Sequence, residues 1–194
     1  MVNAIDWADG RWTHDPEHVV RDDAGSLTAT AVEGSDAWLR TAYGFAHDTE
    51  HALLAPLAVG EAMEVALRAE WKGEFDQAGI FVRADAERWV KTGLEFADGH
   101  LQLGAVVTAG VSDWSTGHAD EWAAASVTVR VSRWEDALII RARADEGEWR
   151  LVRVAPFDGS VPAFGGPFLC GPTRAGFRAT FLRWTRGPAD EEIH

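Results

Sequence analysis

The residues of this 194-residue chain best suited to chemistry lie between Gln77 and Glu95. In an extended segment successive side chains point to opposite faces, so Gln77, Gly79, Phe81 and Arg83 share one face and Ile80, Val82 and Ala84 the other. The next run repeats the pattern, with Trp89, Lys91, Gly93 and Glu95 on one side and Val90, Thr92, Leu94 and Phe96 on the opposite one. A hairpin through Asp85-Ala86-Glu87 makes the polar faces coincide and gathers Gln77, Arg83, Lys91 and Glu95 on one side of a sheet. That grouping suits a polar ligand. Charges of both signs give directional hydrogen bonds, Gly79 and Gly93 would let a ligand approach the backbone, and Trp89 and Trp114 offer flat apolar surfaces of the kind sugars stack against. The competing reading is a solvated cross-strand charge ladder, in which an exposed pair such as Lys91 and Glu95 contributes only ~0–1 kcal/mol. Against it, Lys91 is one of only two lysines in an arginine-rich chain, so its place on this face stands out.

Other chemistries are less well served. Glycoside hydrolysis requires two opposed carboxyl groups, one protonated and one ionised. Glu95 is the first candidate, with Asp76 or Asp113 as partner, but a neighbouring Lys91 should keep Glu95 ionised. His47-Asp48-Thr49-Glu50-His51 has the spacing of an inverted zinc-protease motif, which needs a helix to bring both imidazoles to one metal. The segment sits between extended residues and reads as a hairpin turn, so no metal is expected. Cys170, the only cysteine, reads as a buried thiol rather than a nucleophile, since no histidine flanks it. Ser112-Asp113-Trp114-Ser115 reads as an ordered loop whose polar side chains tie down backbone amides, with Asp113 and Trp114 as possible rim residues of the site. Gly165-Gly166-Pro167 lacks the lysine and following helix of a phosphate-binding loop. No cofactor is implied.

The elements that must position these residues are strands. Short apolar runs with period-two alternation recur from about residue 26 to 185: 26–32, 37–46, 51–59, 62–71, 77–84, 88–97, 100–108, 125–133, 137–144, 148–154, 168–170 and 176–185. Turn formers such as Ala97-Asp98-Gly99 and Asp145-Glu146-Gly147 separate them. About a dozen strands at this spacing predict an all-β, two-sheet antiparallel jelly-roll sandwich. Asp15–Arg21 and Asp120–Ala125 are read as short helices. Residues 1–186 are expected to form one domain, and the acidic tail 187–194 to fray. The net charge of −13 argues against nucleic acid. The opening residues lack the basic and apolar regions of a signal peptide and no apolar stretch is long enough to span a membrane, so a cytoplasmic location is expected.

Ordered blocks then carry a resemblance: Trp38-Leu39-Arg40-Thr41-Ala42-Tyr43-Gly44-Phe45, Asp76-Gln77-Ala78-Gly79-Ile80-Phe81-Val82-Arg83, Trp89-Val90-Lys91-Thr92-Gly93-Leu94-Glu95, Val106-Val107-Thr108 and Ser112-Asp113-Trp114-Ser115. Trp149-Arg150-Leu151-Val152-Arg153 and the run from Cys170-Gly171-Pro172 through Phe181 extend it over nearly the whole chain. These blocks resemble the domain of unknown function 1349 family, a regulation-of-enolase-like group. The resemblance implies a concanavalin A-like lectin/glucanase sandwich, whose concave sheet holds the sites of its glycan-processing relatives. One departure is Glu50, where the family usually has glycine. The Glu-x-Asp-x-x-Glu strand of the fold's laminarinase-like members is absent. The resemblance implies a fold and no reaction. The expectation is therefore a non-catalytic module binding a polar small molecule or carbohydrate on the concave sheet. A carbohydrate-active enzyme using Glu95, and a protein-interaction or metabolic-regulatory module with a protein partner, are the alternatives.

Overall fold

Alternating apolar and polar side chains can be buried only if each sheet turns one face to a partner, and the computed structural model, described over residues 1–193, does this with two antiparallel sheets. The strands are β1 (Asn3–Ala4), β2 (Arg11–Trp12), β3 (His18–Arg21), β4 (Leu27–Thr30), β5 (Ala37–Leu39), β6 (Ala46–Asp48), β7 (His51–Pro56), β8 (Glu61–Ala69), β9 (Gln77–Arg83), β10 (Arg88–Ala97), β11 (His100–Ala109), β12 (Ser112–His118), β13 (Val127–Arg133), β14 (Ala137–Ala144), β15 (Arg150–Pro156), β16 (Phe164–Cys170) and β17 (Arg178–Pro188). One sheet runs β15-β14-β13-β8-β17-β4-β3, with β1 also on β17, and the other runs β12-β11-β10-β9-β16-β7-β2. Ile80, Val82, Val90 and Leu94 of the second sheet meet Val65, Leu67, Val129, Val131, Leu138, Ile140, Phe181 and Trp184 of the first, forming the main core. This is the sandwich expected from the alternation.

A second, smaller core lies on the outer face of the seven-stranded sheet. There Ala52, Phe81, Trp89, Val106, Phe168 and Cys170 are covered by Ala37, Trp38 and Leu39 of a detached hairpin, β5–β6. The hairpin is pinned where the Leu39 N–H donates to Ser112 Oγ, itself bonded to Thr108. Its turn departs from the single strand expected over 37–46. Arg40, Ala42 and Gly44 all adopt left-handed φ (63°, 62° and 73°), which reverses the chain at residues that do not announce a turn.

Four further expectations are corrected. The helix expected over Asp15–Arg21 is the edge strand β3 on β4, because β-branched Val19 and Val20 and a Glu17 N–H donated to the Thr30 carbonyl favour extended backbone. The second helix shrinks to a single 3₁₀ turn, Asp120–Trp122. The loop expected at Ser112–Ser115 is strand β12, in register with β11. The tail is not frayed over the described residues. β17 continues to Pro188, the Ala189 N–H bonds the Gly60 carbonyl, and Asp190 accepts from Arg130 and Arg141 while its carbonyl takes the Trp134 indole N–H.

Candidate functional site

The β9–β10 hairpin turns through Asp85–Glu87 as expected, and its register pairs Arg83 with Trp89, Phe81 with Lys91 and Gln77 with Glu95. The side chains therefore share the outer face but divide into two groups. At one end, Lys91 is almost wholly buried, its Nζ 2.7 Å from Asp36 Oδ1 and 2.8 Å from Gln77 Oε1. Glu95 lies two alternations further along the same strand face, beyond Gly93. At the other end, Arg83 bonds Asp48 and the fully buried Glu50, at 3.0 and 3.2 Å, and takes no part in the Lys91 cluster.

A cleft of about 330 Å³ opens over Lys91, Gln77 and Glu95, at the lower end of the ~300–1,000 Å³ usual for small-molecule sites. Its walls are aromatic. The hairpin contributes Trp38, Tyr43, Phe45 and His47, and Phe75 and Trp114 close the other sides. Tyr43 stacks on Phe45 at 5.3 Å and 12°, and Phe45 meets the His47 ring edge-on at 4.8 Å. Tyr43 and Phe45 remain largely exposed, an arrangement that leaves flat apolar surface to a ligand.

The electrostatics set the floor apart from an exposed ladder. Burial penalises the Lys91 charge, but Asp36 more than offsets it and the ammonium is raised above its ordinary value. For Glu95 the balance runs the other way. Loss of water outweighs the Lys91 ammonium and raises the carboxyl to about 7, against the expectation that it stays ionised. At neutral pH the floor thus offers an ammonium, a carboxylate, an amide and a carboxyl able to donate or accept, a set matched to hydroxyl groups, which do both.

Several expected site residues are placed elsewhere. Trp89 is buried in the small core, stacked on Phe81 at 5.3 Å, and cannot serve as a ligand platform. Trp114 does line the cleft, whereas Asp113 points to the opposite side of β12 and bonds Arg153 of β15 at 2.9 Å. Asp76 is fully buried on Arg174, at 2.6 Å, so neither carboxyl proposed as a partner for Glu95 faces it. Gly79 and Gly93 serve strand packing rather than ligand access. A Cβ on Gly79 would stand 2.0 Å from the Thr92 carbonyl oxygen, and one on Gly93 2.3 Å from that of Ala78. The His-x-x-Glu-His stretch is divided between β6 and β7, which do not pair with each other. His51 accepts the Val32 N–H at Nε2 and bonds the His14 carbonyl through Nδ1, fixing a neutral tautomer, and burial lowers its pKa. Glu50 has no positive φ, so its turn needs no glycine. Residues missed from the sequence are Asp36, Tyr43, Phe45 and His47. A period-two signal was present, since Tyr43, Phe45 and His47 alternate, as do Asp36 and Trp38.

Fold and site together define a jelly-roll sandwich protein with an aromatic-walled cleft on one sheet. The chain belongs to the DUF1349 family, a protein family of unknown function whose model matches residues 12–189. It is 37% identical over 191 residues to Regulation of enolase protein 1 of Saccharomyces cerevisiae, covering 95% of this chain and 93% of that one. A crystal structure of a functionally unknown protein from Saccharomyces cerevisiae superposes with a TM-score of 0.88 at 34% identity, over 96% of this chain and 100% of that one. Xylan beta-1,4-xylosidase from Bacillus halodurans superposes with a TM-score of 0.70 at 14% identity, over 95% of this chain but 38% of the enzyme, a likeness of fold alone. Among the described residues no helix is long and apolar enough to cross a membrane.

Proposed function

We propose that this chain is a non-catalytic binding module that takes a polar small molecule, a short carbohydrate above all, in the cleft on the seven-stranded sheet. The observation that carries the reading is Lys91, buried yet bonded to Asp36 and Gln77 at the base of an aromatic-walled opening. A buried charge with such partners and an open cleft above it is what recognition of hydroxyl groups requires. The test is a thermal-shift screen over sugars and polar metabolites. A ligand at ~100 times its Kd should stabilise by ~2.7 kcal/mol, and the gain should vanish in Tyr43→Ala. Failure of every sugar and polar metabolite to stabilise the chain would refute the reading.

A second reading is a carbohydrate-active enzyme, favoured by the Glu95 carboxyl near 7 beside an Asp36 carboxylate held by Lys91. Release of a chromogenic aglycone from aryl glycosides, lost in Glu95→Gln, would establish it over simple binding. The name of the yeast relative suggests a regulatory role through a protein partner. The cleft's size, aromatic walls and polar floor fit a small ligand better.

A further inference from the structure

A second polar group lies at the edge of the same sheet, outside the cleft. The pairings Glu95 with Gln102 and Gln102 with His118 put these side chains on one face, and His100, two residues before Gln102, joins them. The 3₁₀ turn that follows β12 brings Asp120 beside them. The two imidazoles stack at 4.3 Å with 16° between their planes. Asp120 is oriented by the Leu101 N–H on Oδ1 and by His100 Nδ1 on Oδ2, both at 2.8 Å. One donor atom from each of His100, His118 and Asp120 lies within 4.8 Å of the others.

From this geometry we infer a surface site for a borderline divalent transition ion of the zinc, nickel or copper class, held by His100, His118 and Asp120. Two imidazoles and one carboxylate are the donor set such ions prefer, and calcium or magnesium would demand more oxygen. Bonds of ~2.1 Å require the donors to draw together by ~1 Å. All three side chains are exposed and free to do so. The Asp120–His100 hydrogen bond would open as the ion enters, while the Leu101 N–H keeps the carboxylate in place. Gln102 stands between the site and the cleft, its amide held by the Ala97 carbonyl and the Thr116 hydroxyl. The ion therefore has no assigned part in cleft recognition, and the sequence expectation of no structural or catalytic metal rested on the lone Cys170 and the His47–His51 stretch, not on these residues.

The test uses the full chain without a histidine tag, stripped by chelator and titrated with zinc sulfate by calorimetry, with the histidine ring protons followed by NMR. One equivalent should bind, moving the His100 and His118 resonances and leaving those of His47 in place. His118→Ala and Asp120→Asn should each weaken binding by at least ~10-fold, with unchanged thermal melts of the metal-free chain because the residues are exposed. Absence of binding, or an equivalent that survives in a His100→Ala/His118→Ala double variant, would overturn the assignment.

Discussion

Glu95 holds its proton in the folded chain at pH values where the unfolded chain has already released it, because its carboxyl is raised from 4.5 to about 7. The sign follows from that order. Its penalty is absent below about pH 4.5 and grows as the pH rises towards 7, so stability falls over this window and levels off above it. The shift corresponds to on the order of 2–3 kcal/mol once the water reaching the cleft is allowed for. Glu95→Gln should match the wild type in urea melts at pH 4.5 and exceed it at pH 8. Glu50, raised by burial in the same direction, gives both proteins a common background that cancels in the comparison. The two lysines make a second experiment at this scale. Lys91→Ala would strip the partly buried Asp36 carboxylate of its cation and empty a buried position, and should cost about 3 kcal/mol. Lys72→Ala removes only an exposed pair with Glu70 and should change stability by less than ~1 kcal/mol. Lys91 was legible as unusual from its rarity, but its burial was not, because the hairpin that covers it is contributed by residues some fifty positions earlier.

The β5–β6 hairpin is the element on which the site depends. Its inner residues are core and its tip is wall, so substitutions should separate by position. Tyr43→Ala should abolish stabilisation by a bound sugar yet leave the ligand-free melt within ~0.5 kcal/mol, since Tyr43 is 58% exposed. Trp38→Ala should lose both, costing about 3 kcal/mol through the cavity left in the small core. Within β9, Gly79→Ala should destabilise by about 3 kcal/mol, because backbone on the next strand leaves no room for the methyl group; a denaturant melt near wild type would show that the strands can separate at small cost. Alternation made β9, β10 and their polar face readable in advance, since each residue's side follows from its neighbours. The same logic could not divide 37–46 into two strands, because the reversal rests on Arg40 and Ala42 in left-handed backbone, a choice local propensity opposes. It also passed over β12, whose Ser112–His118 run lacks an apolar face because one side looks onto the cleft and the other onto Arg153.

At the scale of the whole molecule, the end of the chain is tied back onto the eight-stranded sheet it closes. Asp190 joins Arg130 and Arg141 of adjacent strands and holds the Trp134 indole through its carbonyl. Truncation after Pro188 should therefore lower stability by ~1–3 kcal/mol, measured as a shift of the urea midpoint with unchanged slope, rather than pass unnoticed as loss of a loose tail would. Composition and periodicity were enough for the sandwich, since any sequence with this alternation must pair its apolar faces. They could not show the fate of the tail, whose few apolar residues conceal contacts made by charge and backbone.

The position of the single cysteine gives the hairpin a clock. Cys170 lies in the small core beneath it, fully buried, its thiol raised well above the ordinary value by loss of water. A disulfide reagent can reach that sulfur only when the hairpin lifts, so the rate of labelling in unmodified protein reports how often the cleft's wall detaches, and slowing of that rate by a bound sugar would time the closing of the site.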